Sequence, residues 1–143
     1  MKSNKTILIA YQDDLLGRSL AAHFQRLGYR VEAAKLVSDM IRKVRNNNIH
    51  VILIDDEVEG VNACDLVPIF KKISSRVQVI VLSSAEDISL VKRLRGTGIF
   101  FQAMKPADLK EVRSAVECAF GKVERENPKE GFFSFLIPTT VPA

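Results

Sequence analysis

No apolar run in this sequence approaches the roughly 20 residues that a helix needs to cross a bilayer, which argues against a membrane span. The first apolar stretch, Ile7 to Ala10, is also far too short for the core of a signal peptide, despite the basic start at Lys2 and Lys5. Cysteine is scarce: Cys64 and Cys118 stand alone, without CxxC or Cys/His spacing. That spacing excludes a disulfide framework and a zinc knuckle, and reads as two thiols in a reducing, cytoplasmic setting. The only histidines, His23 and His50, have no metal-ligand company in sequence. No GxGxxG or phosphate-cradling glycine loop follows the first β-prone run, so nucleotide binding has no support. Tryptophan is absent too, which excludes nothing.

What is present is one domain's worth of chain, 143 residues, long enough to bury a core without staples. A hydrophobic fraction of 47% beside 27% charged residues suits an ordinary globular protein. The net charge of +4 permits an anionic partner without requiring one, because solvated lysine and arginine faces account for it equally well.

Short β-prone runs alternate with segments of helical period. Thr6 to Ala10 reads as a buried strand, and Leu15 to Leu27 follows with apolar residues spaced by three and four, closed by Gly28. Tyr29 to Ala34 alternates like a half-exposed strand. A second helix through Val37, Met40, Ile41 and Val44 is entered at Ser38 or Asp39 and ends at Asn46 to Asn48. Val51 to Ile54 is a strand buried on both faces, and Cys64 to Ile73 a helix with Asp65 as N-cap and Pro68 in its first turn. Val77 to Leu82 is the most β-prone run; a helix through Ile88, Val91 and Leu94 then ends at Gly96 or Gly98. Ile99 to Met104 is a weaker strand, and Asp108 opens a last helix that Gly121 stops. Five strands separated by helices pair in parallel through right-handed crossovers, which predicts an α/β, doubly wound five-stranded parallel sheet. Residues 1–121 are expected to form the domain and 122–143 a charged linker with an apolar tail, Phe132 to Pro138. That tail suits packing on its own domain and docking to another chain equally.

In an open parallel sheet, ligands bind outside the carboxyl ends of the strands. Read together, those ends supply Tyr11-Gln12-Asp13-Asp14, Asp55-Asp56-Glu57, Ser83-Ser84 and Lys105-Pro106. A carboxylate, a hydroxyl and an ammonium on one rim suit a phosphoryl group. The carboxylate attacks phosphorus, the hydroxyl donates to a phosphoryl oxygen, and the ammonium neutralises charge.

On these residues (Asp55 after Val51 to Ile54, Gly60 in the next loop, Ser83, and Lys105-Pro106), the chain from Lys5 to about Gly121 resembles the receiver domain of two-component response regulators. The resemblance implies the (βα)5, flavodoxin-like fold of the chemotaxis regulator and a place in phosphorelay signal transduction through protein–protein contacts. It implies that Asp55 is the phosphoacceptor, supplied by a sensor histidine kinase or a phosphotransfer protein. Ser83 would be the switch hydroxyl and Lys105 the charge partner, its bond to Pro106 cis. Glu57 would occupy the position whose carbonyl helps hold Mg²⁺. No enzymatic activity is implied beyond phosphorylation and dephosphorylation at Asp55; a downstream protein partner is implied, and a homodimer is left open.

Two departures qualify this. Tyr11 and Gln12 stand where the family carries the acidic pair that holds Mg²⁺, and that ion strongly prefers carboxylates. Asp13, one place further on, is the carboxylate able to rebuild a site with Asp55 and Glu57, while Asp14 is expected to cap the helix at Leu15. Without such a site, the alternative is a pseudo-receiver, a binding module that works without Mg²⁺-dependent phosphorylation. The family's switch aromatic is replaced by Gln102, preceded by Phe100 and Phe101, of which strand alternation sends only one to a given face. Lys92, Arg93 and Arg95, with Gln102, are candidate partner-docking residues, against a simple solvated face. A nucleic-acid-associated regulator is the remaining reading of that basic cluster; no helix-turn-helix or RNA-binding segment after Gly121 supports it.

Overall fold

Side-chain alternation along the β-prone runs builds two cores, one on each face of a single sheet. In β1 (Thr6–Ala10), Ile7 and Ile9 join one core while Leu8 and Ala10 join the other. In β3 (Val51–Asp55), Val51 and Leu53 part from Ile52 and Ile54 in the same way. Strands this apolar on both sides need cover on both faces, and the intervening helices provide it. The computed structural model describes residues 5–11, 13–84 and 88–126. Besides β1 and β3 it contains β2 (Arg30–Ala33), β6 (Gln78–Ser83) and β7 (Phe101–Met104), with a small hairpin of β4 (Glu57–Val58) and β5 (Val61–Asn62). The five-stranded sheet is parallel throughout, in the order β2-β1-β3-β6-β7.

Helices α1 (Asp14–Arg26) and α5 (Leu109–Glu126) cover the Ile7 face through Leu20, Phe24, Val112, Val116 and Phe120. Helices α2 (Val37–Asn46), α3 (Ala63–Ile73) and α4 (Ile88–Gly96) cover the Leu8 face through Met40, Phe70 and Leu94. The chain leaves β1 in one direction to β2 and returns past it to β3, so strand order reverses at β1. The crevice of a doubly wound sheet opens at that point. No helix among the described residues is long and apolar enough to cross a membrane.

Helix boundaries depart from expectation where caps come from unexpected places. Asp13, not Asp14, caps α1: its Oδ1 accepts from Leu15 N–H at 3.0 Å and Leu16 N–H at 3.2 Å. These are two of the four amides a helix start leaves without partners, so Asp13→Ala is expected to cost about 1 kcal/mol, read as a lowered urea midpoint. Neither Ser38 nor Asp39 caps α2. The first turn begins at Val37, whose N–H donates across 22 residues to Glu59 Oε1 at 2.6 Å.

Asn62, rather than Asp65, caps α3, its side chain accepting from Cys64 N–H at 2.8 Å. Pro68 is therefore the sixth helical residue, past the first turn, where it forgoes an i→i−4 bond. Gly28 has φ 95°, the left-handed closing residue expected after α1. Gly121 does not end α5, because Val123 continues the buried stripe after Phe120 and Glu124 pairs with Lys5 at 2.9 Å. The helix thus runs five residues beyond the expected end of the domain, to Glu126. Phe132 to Pro138 lie outside the described residues.

The sequence pattern gives no sign of the β4–β5 hairpin. Val58 pairs with Val61 across a two-residue turn in which both Glu59 (φ 52°) and Gly60 (φ 77°) are left-handed. Such turns favour asparagine or glycine at both places, and the Glu59 at this one hides the signal.

Candidate functional site

The carboxyl ends of three neighbouring strands meet above the sheet. Register pairs Asp55 of β3 with Leu82 of β6, and Ser83 of β6 with Met104 of β7. Lys105 follows β7 directly, and its N–H donates to the Ser83 carbonyl at 3.0 Å. Parallel pairing therefore brings Asp55, Ser83 and Lys105 onto one rim although up to 50 residues separate them in sequence. The Lys105–Pro106 bond is cis.

Lys105 Nζ is hydrogen-bonded and ion-paired to Asp55 Oδ1, and lies 3.5 Å from Asp56 Oδ1. Asp55 is buried, its residue only 7% exposed, so the pair sits where charges are poorly solvated. Burial pushes the Asp55 carboxyl above its ordinary value, against the pull of the Lys105 hydrogen bond. Asp56 behaves oppositely. Burial works against its charge, but Ser84 N–H, the Asp55 side chain, Lys105 and Ser83 outweigh it and hold the carboxyl below its ordinary range. Two of the bonds responsible are Ser83 Oγ–H to Asp56 Oδ2 at 3.3 Å and Ser84 N–H to the same oxygen at 3.2 Å. For Lys105 burial disfavours the charge, yet the hydrogen bond to Asp55 prevails and its pKa is raised. The ammonium is firmly in place.

Tyr11, just past β1, closes the crevice from the other side. It is 6% exposed, and Lys105 Nζ stands 5.4 Å from its ring centroid, a cation over an aromatic face. Burial raises the Tyr11 pKa, so the phenol is a neutral wall and not an anionic ligand. Asp13 turns one oxygen, Oδ1, to the α1 cap. Glu57 is exposed on β4, paired through its backbone register with Asn62. Among the described residues no three acidic, histidine or cysteine side chains group to hold a metal ion. The side chains of Asp13, Asp55 and Glu57 thus form no three-ligand cluster, so Mg²⁺ held here would rely on the Asp55 carboxylate and on backbone oxygens such as the Glu57 carbonyl. Gln12 lies outside the described residues.

The basic docking candidates Lys92, Arg93 and Arg95 are all exposed on α4. Arg93 Nη2 reaches Asp65 of α3 at 3.8 Å, an exposed ion pair of the kind worth little. Gln102 is more enclosed than an exposed strand residue: its Oε1 is buried without a partner among the described residues. With Arg95, Ile99, Phe100 and Phe101 it lines a shallow hollow of 250 Å³. Both phenylalanines are partly buried against the Ile7-face core, contrary to the expected alternation, because Phe100 precedes β7 and is outside its pleat. The histidines have structural roles: His50 Nδ1 accepts from Thr6 N–H at 3.1 Å, and His23 packs edge-on to Phe24. Sequence reasoning singled out Asp55, Ser83 and Lys105 but gave Asp56 no role; one charge beside another at a strand end carries no signal until the strands are placed.

Comparison with known proteins agrees with this fold. The family model for the response regulator receiver domain matches residues 7–117. The DNA-binding transcriptional regulator NtrC of Azospirillum brasilense is 32% identical over 117 residues, 82% of this chain but 24% of that protein. The sporulation initiation phosphotransferase F of Bacillus subtilis is 23% identical over 116 residues, 80% of this chain and 92% of that one. The chain thus spans about a quarter of the length of its NtrC relatives, including one from Bradyrhizobium. Among solved structures, a CheY-like receiver domain protein of Methanospirillum hungatei superposes with TM-score 0.81 at 20% identity, covering 87% of this chain and all of that one.

Proposed function

This chain belongs to the receiver domain family of response regulators, and from that premise we propose that Asp55 is its phosphoacceptor, served by a phosphohistidine on a kinase or phosphotransfer protein. Receiver domains act in two-component phosphorelay signalling. The observation that carries the assignment here is the Lys105–Asp55 ion pair on the rim that also bears Ser83. In the transfer, a carboxylate oxygen of Asp55 bonds to phosphorus while the phosphorus–nitrogen bond breaks and its electron pair returns to the imidazole. Lys105 stabilises the added charge and Ser83 donates to a phosphoryl oxygen. The output is read by protein contact, with the α4 cluster Lys92, Arg93 and Arg95 beside Gln102 as the docking face for an acidic partner surface.

A second reading is favoured by Tyr11 and Asp13. With a phenol lining the crevice and the Asp13 Oδ1 committed to a helix cap, the domain would work as a pseudo-receiver, a binding module independent of Mg²⁺. One experiment separates the two. Incubation with a small phosphodonor and Mg²⁺ is expected to add a phosphate-sized mass that Asp55→Asn abolishes, measured on the intact protein. No added mass, together with no heat of Mg²⁺ binding, would leave the pseudo-receiver.

A further inference from the structure

The hydroxyl and the ammonium assigned above to a phosphoryl oxygen already surround an anion. Ser83 Oγ–H and Ser84 N–H both donate to Asp56 Oδ2, at 3.3 Å and 3.2 Å, and Lys105 Nζ lies 3.5 Å from Oδ1. Two neutral donors and a cation converging on one carboxylate are what a phosphoryl group would require of the same place. The backbone holds the Asp56 side chain there. Its N–H donates to Asp55 Oδ1 at 2.8 Å, and its carbonyl accepts from Ala63 N–H at 2.8 Å, so the β4–β5 hairpin is pinched off between them. With both flanks tied, a side chain of two rotatable bonds gives up little entropy by staying.

We infer that Asp56 is a built-in anion whose carboxylate occupies the donors of the phosphoryl pocket and holds Ser83 inward with no phosphate present. The inference deepens the reading above, from which it takes the roles of Ser83 and Lys105. It has two consequences. A phosphate-class anion entering the pocket competes with a tethered carboxylate of like charge, so occupancy is opposed. The arrangement at Ser83 also changes little between the empty and the phosphorylated domain, because both present an acceptor to the same hydroxyl.

The test uses the full chain, its Asp56→Ala and Asp56→Asn variants, and amide exchange followed by NMR. Asp56→Ala is expected to speed exchange of the Ser84 amide by about tenfold or more, the loss of one hydrogen bond to a charged acceptor. Inorganic phosphate added to this variant should slow that exchange again and shift the Ser83 and Lys105 resonances, while leaving the parent unchanged. A merely structural Asp56 predicts no rescue by phosphate. Asp56→Asn keeps an oxygen acceptor without the charge and should fall between; if the alanine variant does not fold, the same comparison is read on asparagine. Unchanged Ser84 exchange in the variants, or phosphate perturbing the parent as strongly as the variant, overturns the inference. Neither outcome needs Asp55 to be phosphorylated. Failure of phosphodonor labelling in parent and variants alike strikes at the phosphoacceptor assignment and leaves the Ser84 readout standing.

Discussion

Lys105→Met is expected to destabilise the domain by about 2–4 kcal/mol, near the range for breaking one side of a buried ion pair. Methionine fills most of the space of the lysine stem, so packing is largely retained and the lost charge dominates. What remains is Asp55, buried, beside Asp56, with the cation that neutralised them gone. Partial exposure of Lys105 keeps the figure below that of a fully enclosed pair. The sign of the pH dependence follows. Burial already raises the Asp55 pKa, and removing Lys105 raises it further. A carboxyl whose folded pKa is raised penalises stability above that pKa, and the penalty disappears below the unfolded value, 3.8. The deficit of Lys105→Met should therefore be larger at neutral pH than in acid and narrow on acidification toward that value. Urea midpoints measured across the range check it. Lys105→Met combined with Asp55→Asn should recover a substantial part of the loss, since the stranded charge is then removed as well.

Phe70→Ala is expected to cost about 3–5 kcal/mol, the larger of the two effects. Phe70 on α3 is fully buried in the core cluster that also holds Ile52, Ile54, Val79 and Val81 of the central strands. Truncation forfeits the transfer of a whole ring and leaves a cavity that two flanking strands, each hydrogen-bonded on both sides, cannot collapse to fill. Against a typical domain stability of 5–15 kcal/mol that is a large share, and denaturant unfolding should show it as a sharply lowered midpoint. Leu15→Ala makes the control. Leu15 is a large apolar side chain too, but 79% exposed on α1, and its loss should register within about 0.5 kcal/mol. Equal effects at the two positions would contradict the burial pattern on which the two-faced core rests.

The comparison of Phe70 with Leu15 shows what periodicity conveys and where it stops. Both belong to helical repeats legible in the sequence, yet the repeat marks a face, and Leu15 in the first turn of α1 is left 79% exposed. Periodicity is similarly silent about caps. Asp13 and Asp14 are equivalent by residue type, and only the geometry of the first turn shows that Asp13 accepts the Leu15 and Leu16 amides. At α2 the acceptor is Glu59, which is distant in sequence, so local pattern contains no trace of it.

By itself the sequence determined the alternation of strands and helices, and from it the parallel doubly wound sheet, because periods of two and of three to four are local properties of side-chain direction. It also determined that Asp55, Ser83 and Lys105 end successive strands, and parallel pairing then leaves them little freedom but to share a rim. Only the tertiary structure decided which neighbouring group each of them meets. That Asp13 turns to a helix, that Tyr11 faces Lys105, and that Asp56 draws the Ser83 hydroxyl and the Ser84 amide depend on hairpin closure and backbone bonds between distant segments. Such contacts are set by distances of a few ångströms in three dimensions, and residue order encodes those distances only through the whole fold.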